Sequence, residues 1–158
     1  MLSESARMSS AAEARFRVQA PNSMPRTIKV IALDGAAEAV VRRLAGGGWQ
    51  HATFFTATTP PDALCDLAGR RTAVRDEVDA ADLVVLVAGP GGHAHAAAAI
   101  GQACSLRRVM TTGFVVGVTS APEHEVSSTL AQLRPWSLMI VIASHDEFID
   151  DMMTALRA

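Results

Sequence analysis

Four short runs constrain this chain more than any other feature: residues 27–33 (TIKVIAL), 82–88 (DLVVLVA), 113–119 (GFVVGVT) and 137–143 (SLMIVIA). Each is apolar almost throughout and rich in β-branched residues. Strands that lack polar alternation are buried on both faces, which is the pattern of a parallel sheet covered above and below by helices. A fifth run, residues 51–57 (HATFFTA), predicts another strand, ended by Pro60-Pro61.

Helical patterns lie between these runs. Residues 36–45 predict a helix, stopped by Gly46-Gly47-Gly48 because three glycines make continuation costly. Residues 61–68 predict a turn or two of helix with Gly69 as its stop. Residues 94–106 form an alanine-rich helix behind the tight loop Gly89-Pro90-Gly91-Gly92. Val126, Thr129, Leu130 and Leu133 make an amphipathic stripe, and Ile149, Met152, Met153 and Leu156 repeat its spacing. Strands joined through helices make right-handed crossovers. The predicted fold is α/β: a doubly wound, mostly parallel, three-layer Rossmann-like domain. Ligands of such sheets bind at the carboxyl ends of the strands. Here those ends carry the loops 34–38, 89–95, 120–123 and 144–147.

A chain of 158 residues, 49% hydrophobic and 19% charged, suits one packed domain. Residues 1–25 are rich in Ser, Ala and Arg and lack the apolar centre of a secretory signal, so they read as a flexible tail or a short docking helix, with the domain over 26–158. The net charge of −2 gives no footprint for nucleic acid or an anionic membrane, and no run of about 18 apolar residues spans a bilayer. Cys65 and Cys104 lack metal-ligand or redox spacing and read as small buried hydrophobes, for which a reduced, cytoplasmic compartment is the simplest fit.

Residues 28–44, IKVIALDGAAEAVVRRL, resemble the opening strand, glycine loop and helix of the FtsZ/tubulin family, where FtsZ reads IKVIGVGGGGGNAVNRM. Residues 79–103, DAADLVVLVAGPGGHAHAAAAIGQA, resemble the stretch bearing the tubulin signature loop. Val115-Val116-Gly117-Val118-Thr119 with Ala121-Pro122 is similar to the family's next strand and its Thr-x-Pro turn, and residues 137–148 to its following strand and central helix. The resemblance runs from about Arg26 onward and implies an N-terminal GTPase-type domain. The family binds GTP through backbone N–H groups of glycine loops.

Both loops depart from that pattern. The first is Asp34-Gly35-Ala36-Ala37-Glu38, with one glycine and two carboxylates. In the signature loop, G-G-G-T-G-[ST]-G is replaced by Gly91-Gly92-His93-Ala94-His95-Ala96-Ala97, without either hydroxyl. A carboxylate about 4 Å from one phosphate charge costs roughly 1 kcal/mol in water and about 4 kcal/mol at an effective dielectric of 20. Alternatively, both carboxylates face solvent, with Glu38 favourably placed near its own helix N-terminus. The family also hydrolyses GTP with acidic residues beyond the central helix, and this sequence ends at Ala158, so GTPase activity of this chain alone is not expected.

Candidate ligand-binding residues are therefore Asp34, Gly35, Gly89, Gly91, Gly92, His93 and His95, with GTP disfavoured. His93 and His95 are also candidate metal ligands, with Asp34, Glu38 and His145 on neighbouring loops. Catalysis ranks last. Ser120, Ser144 and Cys104 lie in no nucleophile signature, and adjacent His145 and Asp146 make no dyad. Asp146 suits the last helix's N-terminus, and His51 and His124 read as surface residues. The expected function is a non-catalytic FtsZ-like module acting through a protein partner or as a homo-oligomer. The alternative is a protein that binds a small ligand, nucleotide or metal through the 89–95 and 34–38 loops.

Overall fold

A computed structural model describes residues 25–91 and 93–158; the expected tail over residues 1–24 and the candidate Gly92 lie outside the described residues. Seven strands form one sheet: β1 (Ile28–Ala32), β2 (Ala52–Ala57), β3 (Ala63–Asp66), β4 (Arg71–Ala73), β5 (Leu83–Ala88), β6 (Met110–Val115) and β7 (Met139–Ile142). Among the described residues, five α-helices accompany them: α1 (Gly35–Ala45), α2 (Val74–Asp79), α3 (Ala96–Arg107), α4 (Glu123–Leu133) and α5 (Glu147–Ala155). The sheet order is β4-β3-β2-β1-β5-β6-β7. From β2 to β7 every neighbour is parallel, and β3 and β4 add an antiparallel hairpin outside β2. The protein is thus α/β with a mostly parallel sheet, compatible with a Rossmann-like doubly wound fold.

The two faces of the sheet bury separate cores. On one, Ile28, Val30, Leu83, Val85, Val87 and Phe114 meet Val40, Val41 and Leu44 of α1 and Ile149 and Met153 of α5. On the other, Ile31, Val84 and Leu86 meet Val78 of α2, Ile100 and Cys104 of α3, and Leu130 and Leu133 of α4. The C-terminal stripe therefore packs on its own sheet: Ile149 and Met153 are buried and Met152 and Leu156 half-buried. Gly101 permits the close packing of α3 on the turn after α4, since a Cβ there would stand 2.4 Å from Cβ of Trp136.

Several expectations need correction. Residues 61–68 contain no helix; Ala63–Asp66 is a strand, paired with Arg71–Ala73. The Asp66 side chain closes that hairpin by accepting from the N–H groups of Ala68 and Arg70, at 3.0 and 2.8 Å. The strand expected over 113–119 starts earlier, at Met110, and stops at Val115; Gly117 (φ +71°) turns the chain into a 3-10 turn over Val118–Ser120. Burial on both faces holds for β1 and β5 but not for β2 or β7. β7 is an edge strand, and Met139 and Ile142 are about half exposed.

Candidate functional site

The winding direction of the sheet reverses between β1 and β5. The chain moves from β1 outward to β2, then returns to β5 and proceeds through β6 to β7. The loops leaving β1 and β5 therefore diverge, and a crevice at such a switch point is where α/β sheets hold ligands. The 34–38 and 89–95 loops meet here, as the sequence predicts.

Asp34 fills that junction. As the N-cap of α1 its Oδ1 accepts from the Ala37 N–H at 2.9 Å. Its Oδ2 accepts from the Gly89 N–H, also at 2.9 Å. One carboxylate thus satisfies a free amide at the start of α1 and an amide of the glycine loop, the two kinds of donor that otherwise bind a phosphate. The approach is close: a Cβ on Gly89 would lie 2.7 Å from that of Ala36. Gly35 opens α1 and is exposed. Glu38 turns outward and pairs with Arg42 at 2.9 Å, one helical turn on, so the two carboxylates of this loop play different parts.

The rest of the glycine loop is tied to α4. The Gly89 carbonyl accepts from Oγ1 of Thr129, buried, at 3.0 Å. The Gly91 N–H donates to the Glu125 carbonyl at 3.3 Å. The Ala94 N–H donates to Oε1 of Gln132 at 2.9 Å, and Nε2 of the same amide meets Nδ1 of His95 at 3.0 Å. The amides of Gly89, Gly91 and Ala94 are therefore all directed at acceptors within the protein. Thr129 and Gln132 were not among the residues expected here. Thr129 belonged to the amphipathic stripe, and nothing in the sequence marks either as a partner of a loop about 40 positions away.

His93 and His95 are both exposed and share the wall of a small cavity with Leu33, Thr58 and Pro61. Its volume is about 110 Å³, below the 300–1,000 Å³ or so of ordinary ligand pockets. Among the described residues, no group of three or more His, Cys, Asp or Glu side chains is arranged to hold a metal ion. His145 stands apart, against the Phe148 ring at 6.0 Å. Asp146 occupies the N-cap position of α5 without a side-chain cap bond. His51 and His124 are exposed.

A roomier cleft, about 470 Å³, opens at the carboxyl ends of β6 and β7, lined by Arg43, Gly117, Thr119 and residues 144–147. Arg43 is engaged there: it pairs with Asp150 at 3.0 Å and donates to the Asp146 carbonyl. A groove of about 650 Å³ beside β2 and the β3–β4 turn lies away from these loops.

Cys104, on the α3 face that packs on the sheet, is buried, whereas Cys65 is half-buried. Burial pushes the Cys104 thiol above its ordinary value of 9.0, against smaller lowering effects from a hydrogen bond to Thr111 and the charge of Arg107. A pKa raised by folding leaves stability intact below the ordinary value and removes it as pH climbs through the raised one. We expect chemical denaturation to show lower stability above about pH 9, with the loss abolished in Cys104→Ala. Iodoacetamide should modify Cys65 in the folded protein and Cys104 only on unfolding.

No protein-family model matches the chain, and no curated protein matches it.

Proposed function

We propose that this chain is a non-catalytic FtsZ-like binding module that has lost nucleotide chemistry and acts through protein–protein contact. The observation that carries the reading is the Asp34 carboxylate, bonded at once to Ala37 N–H and Gly89 N–H. It stands where a nucleotide phosphate would need donors, and it brings negative charge. The residues present do not fit GTP: the donors at Gly89, Gly91 and Ala94 are already used, and an incoming phosphate would meet Asp34. A triphosphate carries about three to four negative charges, each repelled by roughly 1–4 kcal/mol at about 4 Å, depending on solvent screening. Displacing Asp34 first would break two hydrogen bonds.

Titration calorimetry with GTP and GDP, with and without Mg²⁺, tests this. We expect no heat at millimolar nucleotide. Micromolar binding would overturn the reading.

The second reading, a small-ligand protein, draws on the 470 Å³ cleft at the ends of β6 and β7, whose size suits a small molecule. Its lining includes Asp146 and Glu147 while Arg43 is already paired, so it favours a neutral or cationic ligand. Nucleosides without phosphate in the same titration separate this reading from the first.

A further inference from the structure

The two edges of the sheet are built differently. The β4 edge is three residues long, carries Arg71 paired with Asp62 at 3.0 Å, and runs straight into α2. These are features by which proteins blunt an open edge. The β7 edge, though only four residues long, lacks the charge and does not run straight into a helix. From Ser137 to Ala143 there is no charge, proline or glycine, and Leu138, Met139 and Ile142 are 78%, 53% and 51% exposed. An uncharged, apolar, open edge is a template for another strand.

We propose that β7 pairs with β7 of a second copy of this chain, antiparallel across a two-fold axis, joining two sheets into one. The inference deepens the interaction reading above by naming the partner, and rests on that reading only for the claim that contact is the chain's role.

Self-complementarity selects the second copy over an unrelated strand. The same edge of two identical strands can meet only antiparallel, the arrangement a two-fold axis produces. Such pairing sets the amino end of one β7 beside the carboxyl end of the other, and those ends carry opposite charge. Arg108 lines a groove with Met110 and Leu138 at the amino end, and Arg134 begins the turn just before it. At the carboxyl end stand Asp146 and Glu147, both exposed. The basic end of each copy thus faces the acidic end of the other, twice by symmetry.

The geometry limits the register, and the exposed residues select one. A two-fold axis normal to the sheet keeps each side chain on its own face, so residues opposite each other must share a face. Ile140 packs into the core on one face of the sheet and Val141 into that on the other. Centring the pair on Ile140 sets Leu138 against Ile142 of the second copy, and Met139 against Val141. This register buries the exposed Ile142 of the strand against Leu138, the exposed residue just before it.

The edge is short, so the dimer should be weak, with a dissociation constant on the order of 10 µM. Sedimentation equilibrium of the full chain should show a monomer–dimer equilibrium. Leu138→Lys with Ile142→Lys, at sites already exposed, should raise the dissociation constant about 100-fold by placing lysines opposite each other and removing the apolar contact. Ile140→Cys in a Cys65→Ser background should form a disulfide-linked dimer under mild oxidation, because opposed Cα atoms lie about 4.5–5.5 Å apart, within disulfide reach. Leu138→Cys in the same background, which faces residue 142 rather than itself, should not. A chain monomeric at all concentrations overturns the pairing, as does a dimer that survives both lysines or fails to link through Ile140→Cys. The two readings fail separately. A dimer that binds GTP leaves the pairing standing and removes the lost-nucleotide reading; a monomer silent to GTP does the reverse.

Discussion

Asp34→Ala is expected to destabilise the fold by about 3 kcal/mol, seen as a drop in melting temperature of roughly 10 °C. Two losses add. Removing the N-cap acceptor leaves the Ala37 N–H without its partner, typically about 1 kcal/mol. Removing the second oxygen strands the Gly89 N–H, a buried amide in a loop already held by Thr129, for about 1–3 kcal/mol. Asp34→Asn keeps one acceptor oxygen and should lose roughly half as much. The same substitution tests the site as an anion cradle in disguise. With the carboxylate gone, two N–H donors and the start of α1 are free, so inorganic phosphate should raise the melting temperature of Asp34→Ala and leave that of the native chain unchanged. Equal effects of phosphate on both proteins would count against Asp34 as the occupant of the crevice.

Glu77→Ala is the second large effect, again about 3 kcal/mol. Lys29 is the single lysine of the chain and sits inside the sheet layer, 8% exposed, on β1 between core residues. Its ammonium pairs with Glu77 of α2 at 3.0 Å and lies 5.6 Å from the centre of the Phe55 ring. Glu77 is steadied by Oγ1 of Thr72 at 3.0 Å. Deleting the carboxylate removes the ion pair of a largely buried charge and leaves it beside the Phe55 ring face. Changing both partners, Glu77→Ala with Lys29→Met, removes that uncompensated charge and should recover most of the lost stability. Urea denaturation of the two single variants and the double variant gives the coupling. A double variant no more stable than Glu77→Ala would show that the pair is not what Glu77 contributes.

The alternation of strands and helices was legible because it depends on local pattern. TIKVIAL and DLVVLVA show no polar alternation, Lys29 being the lone charge inside β1, and they become β1 and β5, at the centre of the sheet. The same logic misjudged SLMIVIA. Its apolar pattern resembles that of β5, yet position in the sheet, not composition, leaves β7 at the edge with half of its side chains open. The hairpin of β3 and β4 was missed for a related reason. ALCD and RTA are too short for either periodicity to register, and their pairing depends on Asp66 holding the turn and on the free edge of β2.

At the site, the residue was legible and its role was not. Asp34 stood out as a carboxylate in a loop where glycine would serve a phosphate, and an aspartate before a helix is a standard N-cap. Its second bond, to Gly89, spans 55 positions and exists only because β1 and β5 lie side by side. The anchoring of the glycine loop by Thr129 and Gln132 likewise depends on where α4 lands on the sheet. The amino-acid sequence alone determined the class of fold, the loops that gather at the strand ends and the carboxylates and histidines those loops carry, since each follows from local chemistry. Only the tertiary structure decided that those loops are closed by their own carboxylate and that β7 stands last among the described strands, because both depend on which strands become neighbours.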